Sequence, residues 1–188
     1  ILCIEDPVEY VHKGINSLFS YRNVGEDTKT FNRALKSALR EDPDIIFIGE
    51  MRNTETMEIA LEAAETGHLV IGTLHTNSAA QTINRIVSSF EGAKQDQVRS
   101  QVAITIEGII SQILLPRVEG GRVAATEILI GTPAIRNLIR ENKIHQINSQ
   151  MTIGQTLTEM KTMAQSLDSL YQDRIIAKEE YDIAIATL

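Results

Sequence analysis

One cysteine, no tryptophan and only 4% aromatic residues exclude several classes of protein at the outset. Cys3 sits alone inside the apolar run Ile1-Leu2-Cys3-Ile4. It can build neither an intrachain disulfide nor a multi-thiolate zinc framework, and it argues for a reducing compartment. No apolar run approaches the ~20 residues that a bilayer-spanning helix needs. The first residues read as a core strand, not as a signal peptide. Positive charge is also short: 18 Lys and Arg stand against 25 Asp and Glu, a net −7, which is the wrong balance for a nucleic-acid partner. Two motifs are missing as well. There is no G-x-S-x-G elbow, so nothing supports a Ser–His–Asp hydrolase. There is no G-x-x-x-x-G-K-[ST], and none of the 11 glycines is followed by lysine. The backbone nest and lysine that grip β- and γ-phosphates are therefore not in these residues. Either the chain handles no nucleotide, or the cradle precedes Ile1. An opening on Ile rather than Met, directly into a core strand, leads us to expect a piece of a longer protein.

What is present can build a core. Hydrophobic residues make up 43% of the 188, enough for one domain or one plus a small appendage. Ile45-Ile46-Phe47-Ile48 suits a strand buried on both faces of a parallel sheet, with Pro43 and Gly49 as punctuation. "ILCI" and "HLVIGTLHT" read as two further buried strands, and "SLFSYRNV" as another strand or hairpin arm. Helices are expected over 30–40, where Phe31, Ala34, Leu35, Ala38 and Leu39 recur at helical spacing, and over 53–66, with Gly67 just past its end. Another opens at Ser78, and one follows over 94–107. "SQILLPRVEGGRVAATEILI" reads as a hairpin about Glu119-Gly120-Gly121. From Gly131 the pattern is helical, over 132–141, 143–150, 155–171 and 178–186. The alternation predicts an α/β fold with a mixed, largely parallel sheet flanked by helices and a C-terminal helical tail.

Three acidic or histidine clusters fall at strand ends: Glu5, Asp6 and Glu9; Asp44 and Glu50; His68 and His75. Ligands of open α/β sheets bind beyond the carboxyl ends of the strands. Parallel neighbours bring Glu5, Glu50 and His75 to one such edge. A lone acid there is more often a cap or a surface charge. Three clusters together are harder to dismiss: carboxylates can hold Mg²⁺ through water and orient an attacking water, and a histidine can sense a phosphate. A direct metal site has less support, because His68 and His75 are a strand's length apart.

Four blocks carry a resemblance. "IEDPVEY" (4–10), "LREDPDIIFIGEMRN" (39–53) and "TGHLVIGTLHTNSA" (66–79) resemble the Asp box, the atypical Walker B block and the His box of the secretion-superfamily ATPases of type II secretion and type IV pili. "GTPAIRNLIRE" (131–141) resembles the block associated with that family's retraction members. The four-cysteine module of its secretion and assembly members is absent. The resemblance runs from residue 1 to at least 141.

By that resemblance the fold is a RecA-like ATPase core, with residues 1–130 part of the ATPase domain and 131–188 a helical subdomain. ATP and Mg²⁺ are implied. Glu50 acts on the water that attacks the γ-phosphate, and Glu5, Asp6 and Glu9 hold Mg²⁺-bound water or position the nucleophile beside Gly49. His75 and His68 couple phosphate state to a neighbouring subunit or domain. Arg85, Arg40 and Arg52 are interface or phosphate contacts, or else partners of local acids. The retraction block is Ala134, Ile135, Arg136, Asn137, Leu138, Ile139, Arg140 and Glu141. The implied assembly is a homo-hexamer in the cytoplasm, peripheral to the inner membrane and acting on the pilus platform protein. An N-terminal PAS-like domain and the phosphate cradle are expected upstream. The competing readings are an assembly or type II secretion ATPase, and an inactive interaction module of the pilus machinery.

Overall fold

The computed structural model describes residues 1–188, apart from the side chains of residues 154–157. The chain forms two compact units, Ile1–His75 with Ser89–Gly92, and Thr76–Ser88 with Ala93–Leu188. The boundary expected at residue 130 falls inside the second.

In the first unit four short strands form a parallel sheet: β1 (Leu2–Glu5), β2 (Ser20–Asn23), β3 (Ile45–Ile48) and β4 (Leu69–Gly72), in the order β2-β1-β3-β4. Cys3 lies opposite Phe47, and Phe47 opposite Ile71. Two helices, α1 (Phe31–Ala38) and α2 (Thr54–Glu65), cover one face. Each starts where a side chain takes an otherwise orphaned amide: Thr30 accepts from the Arg33 N–H, and Asn53 from the Thr56 N–H. Strand pleating sends alternate residues to opposite faces. Ile46 and Ile48 are therefore fully buried against Leu35, Ala38 and Ala60, each such side chain contributing about 1.5–3 kcal/mol. Ile45 and Phe47 point the other way and are half-buried. With Cys3 and Ile71 they line a cavity of about 600 Å³. The expectation of a strand buried on both faces thus holds fully for one side only.

The second unit contains α3 (Ala79–Ser88), α4 (Lys94–Thr105), an antiparallel ribbon of β5 (Gly108–Pro116) and β6 (Arg122–Ile130), then α5 (Pro133–Arg140), a 3₁₀ turn (Ile144–Gln146), α6 (Ile147–Thr158), α7 (Met163–Gln172) and α8 (Lys178–Ala186). Gly120 and Gly121 turn the ribbon with φ of 90° and 76°, values that a residue with a Cβ adopts only with strain. Leu115, Ala125, Met163, Leu167 and Ile176 form one core here. The single helix expected over 155–171 is not formed. Its opening side chains, Gln155 to Leu157, lie outside the described residues, and the path breaks between α6 and α7. There Lys161 pairs with Ile128 of β6, the two exchanging backbone hydrogen bonds of 2.7 and 3.0 Å. Thr162 and Gln165 then restart the helix as a reciprocal capping box.

Candidate active site

Parallel pairing sets the carboxyl ends of β1, β3 and β4 side by side. The site is the loop that follows each. Glu5 ends β1 and is 8% exposed. Its Oε2 accepts the Glu9 N–H at 3.4 Å. Gly49 follows β3, and its N–H donates to the Ile4 carbonyl at 2.8 Å. A Cβ at position 49 would meet Glu5 Cγ at 3.0 Å and Cα at 3.1 Å. Glycine is thus what allows the two strand ends to approach.

Glu50 is held from two sides. Arg52 Nε lies 2.7 Å from its Oε2, and His75 Nε2 lies 3.0 Å from its Oε1. The hydrogen bond from Arg52, reinforced by the Arg52 charge and by His75, holds the Glu50 carboxyl below the usual carboxylate range, against a smaller upward push from desolvation. The loop beneath is tied to the residues after β4. Met51 N–H donates to the Thr73 carbonyl at 3.0 Å, and the Thr73 hydroxyl donates to the Gly49 carbonyl. Thr73 was not among the sequence candidates. The only signal for it was a hydroxyl one residue past a strand.

Asp6 and Glu9 are exposed and line the same cavity as Glu5, Glu50, Arg52 and Thr73. The loop they belong to is braced by rings: Tyr10, His12, Phe19 and Tyr21 follow one another at centroid distances of 4.8, 5.5 and 6.2 Å. Cys3 lies on the cavity floor, where burial, then the charge of Glu5, pushes its thiol pKa up.

Several candidates lie elsewhere. His68 precedes β4, and its Nδ1 lies 3.0 Å from the Ala63 carbonyl, at the opposite end of the strand from His75. Asp44 is likewise at the entry of β3. Arg40 follows α1 and lines a separate basic groove with Arg33 and Lys36. Arg85 is exposed on α3, in the second unit. No three His, Cys, Asp or Glu among the described residues are grouped to hold a metal ion directly. Glu5, Asp6 and Glu9, which line one cavity, offer the hard oxygen donors Mg²⁺ prefers and suit an ion carried mainly by water and phosphate oxygens.

In the retraction-like block Thr132 accepts from the Ile135 N–H, and Pro133 occupies the first turn of α5. Ile135 and Ile139 are fully buried and Leu138 is half-buried. Asn137, exposed, bonds Glu141 at 3.1 Å. Ala134 and Arg140 are exposed. Arg136 is half-buried. It donates to the Gly131 carbonyl at 2.6 Å, to Glu107 Oε1 at 2.7 Å, and to the Ile104 carbonyl.

Comparison with known proteins supplies the context for this geometry. Residues 1–183 match the model of a family described as Type II/IV secretion system protein. The chain is 54% identical to a twitching motility protein of Neisseria gonorrhoeae over 95% of its length and 48% of that protein's. It is 52% identical to the type IV pilus retraction ATPase PilT of Pseudomonas aeruginosa, over 95% of this chain and 52% of the relative. Among solved structures, that of the pilus retraction motor PilT with bound ADP superposes with a TM-score of 0.89 at 55% identity, over 96% of this chain and 51% of that one. The chain spans about half the length of the curated relatives it matches.

Proposed function

Because the chain belongs to the Type II/IV secretion system protein family, we propose that it forms the catalytic-carboxylate half of a motor ATPase that retracts type IV pili and so drives twitching motility. The observation that carries this reading is the meeting of Glu50, Glu5 and His75 at the carboxyl rim of a parallel sheet, beside an open cavity. Similarity to proteins named for twitching and pilus retraction supports the biological role. The block at 134–141 supports the retraction branch.

In the proposed reaction a water oxygen attacks the γ-phosphorus of ATP, the bond to the β–γ bridging oxygen breaks, and Glu50 accepts the water's proton. Glu5, Asp6 and Glu9 would hold water on Mg²⁺, which when bound neutralises phosphate charge. His75 reports phosphate state through its bond to Glu50. The cradle for the β- and γ-phosphates is supplied by a segment outside these 188 residues. Residues 131–188 act as the helical subdomain that passes the stroke on. The working form is a homo-hexamer, cytoplasmic and peripheral to the inner membrane, that acts on the pilus platform protein. No helix among the described residues is long and apolar enough to cross a membrane.

The test is Glu50→Gln in the intact protein. ATP affinity should be nearly unchanged while turnover falls by ~10²-fold or more, since an amide neither accepts the proton nor carries the charge that orients water. Turnover at the parent rate removes Glu50 from the mechanism. A strain lacking the protein should grow pili that do not shorten. Loss of pili instead assigns the protein to assembly.

A further inference from the structure

We propose that Arg52 is a positioning residue that holds Glu50 at rest and exchanges it for the terminal phosphate of an arriving nucleotide. The inference rests on the reading of Glu50 as the base and adds how that base is kept idle.

Each carboxylate oxygen of Glu50 has its own partner, Arg52 on Oε2 and His75 on Oε1. A carboxylate held this way is a poor proton acceptor, because both partners stabilise its charged form. The downward displacement of its pKa, led by Arg52, agrees. The two groups differ in freedom. The Glu50 side chain is 21% exposed and that of Arg52 64% exposed. Among the described residues the Arg52 guanidinium is paired with Glu50 alone, through Nε, which leaves the rest of its fork to a ligand. Arg52 also lines the cavity.

The backbone between them is fixed. Gly49 and Met51 are both bonded to Thr73. The loop is a frame on which the side chains at 50 and 52 can change partners without moving the main chain. An exposed carboxylate–guanidinium pair is a weak contact in water. A terminal phosphate carries more charge and takes two guanidinium N–H groups side by side. When it enters, Arg52 moves to the phosphate, Oε2 is freed, and Glu50 recovers its basicity beside the water it must activate. ADP lacks that phosphate and leaves the pair closed.

Arg52→Gln and Arg52→Lys in the intact protein test this, with calorimetric affinities for ADP and for the β,γ-imido analogue of ATP beside steady-state kinetics. Arg52→Gln should weaken analogue binding and raise KM for ATP about tenfold, with kcat within about threefold, as loss of a contact made equally in ground and transition states requires. ADP affinity should stay within about twofold, and Arg52→Lys should recover only part of the loss, since it restores the charge but not the paired N–H groups. Three outcomes overturn the proposal: kcat falling with both affinities intact, which makes Arg52 a permanent brace; equal loss for ADP and analogue; or no change in either. Glu50→Gln in the same series keeps the failures apart. Its turnover judges the base, and the nucleotide discrimination of the Arg52 variants judges the exchange.

Discussion

Glu127 accepts the backbone N–H of Ala79 at 2.7 Å on Oε1. Its other oxygen accepts the N–H of Met163 at 3.3 Å. Ala79 opens α3 and Met163 opens α7, so one carboxylate, 2% exposed on β6, caps two helices and meets the positive ends of both dipoles. We expect Glu127→Ala to lower the unfolding free energy by about 1–3 kcal/mol for each amide left unpaired in the interior. Glu127→Gln should cost less, because its amide oxygen can still serve one of them. Urea denaturation of the three proteins measures the order. Equal stability would mean that water reaches both helix starts.

Glu127 was invisible to motif reading, yet it has a local signal. It stands between Ala125 and Leu129 on the inward alternation of "VAATEILI", where a bare acid needs partners. Those partners are far away in sequence, so only the fold names them. The same limit explains the break after α6. Thr162-Met163-Ala164-Gln165 is a helix start, but apolar spacing on both sides hid it, and the pairing of Lys161 with Ile128 that forces the break is a tertiary event. By contrast, Glu5, Glu50 and His75 were legible, because parallel strands place their carboxyl ends together whatever else the chain does. The pairing of Glu50 with Arg52 was open to reading only as one of two alternatives, since i, i+2 spacing on a loop fixes no direction.

Tyr181 donates to Asp168 at 2.6 Å and stacks on Tyr171 with ring centroids 4.9 Å apart. The hydrogen bond to Asp168, before the smaller effects of desolvation and neighbouring charge, raises the phenol pKa above its ordinary 10.0. The neutral phenol is therefore favoured by folding. Its contribution is whole below the unfolded value and is lost as pH rises through the raised folded value. The stability gap between the parent chain and Tyr181→Phe should be flat from about pH 7 to 9 and close above about pH 10. Urea titrations across that range read it. A gap that widens with alkali contradicts the assignment.

The 188-residue chain should bind Mg-ATP weakly and turn it over no faster than background. It carries the candidate base but no cradle for the β- and γ-phosphates. Calorimetry and a phosphate-release assay on this chain test the point. Micromolar affinity with turnover would reveal a phosphate site among these residues that neither sequence nor geometry has indicated.

Arg136 and Arg140, four residues apart on α5, should separate structure from transmission. Arg136 satisfies the carbonyl of Ile104 in the last turn of α4, the carbonyl of Gly131, and Glu107. A guanidinium at a helix C-terminus meets the negative end of the dipole and fills acceptors that nothing in the helix can reach. Gly131 beneath it has no room for a side chain, since a Cβ there would fall 2.1 Å from the Ile106 carbonyl. Arg136 is thus part of a tight joint, and Arg136→Ala should cost about 1–3 kcal/mol. Arg140 is exposed and adds only to the field that lowers the Glu141 pKa, after Lys143 and Asn137. Arg140→Ala should leave stability within about 0.5 kcal/mol. If the block passes nucleotide state to the pilus machinery, its outward side must do so. Arg140→Ala in the intact protein should then keep ATP turnover and abolish twitching. Arg136→Ala should lose twitching only in step with its lost stability, and recover at lower temperature. Thermal melts, turnover and twitching zones of the same two variants decide it. Normal twitching with Arg140→Ala would confine the block to its buried face, Ile135 and Ile139, and make it an ordinary packing helix.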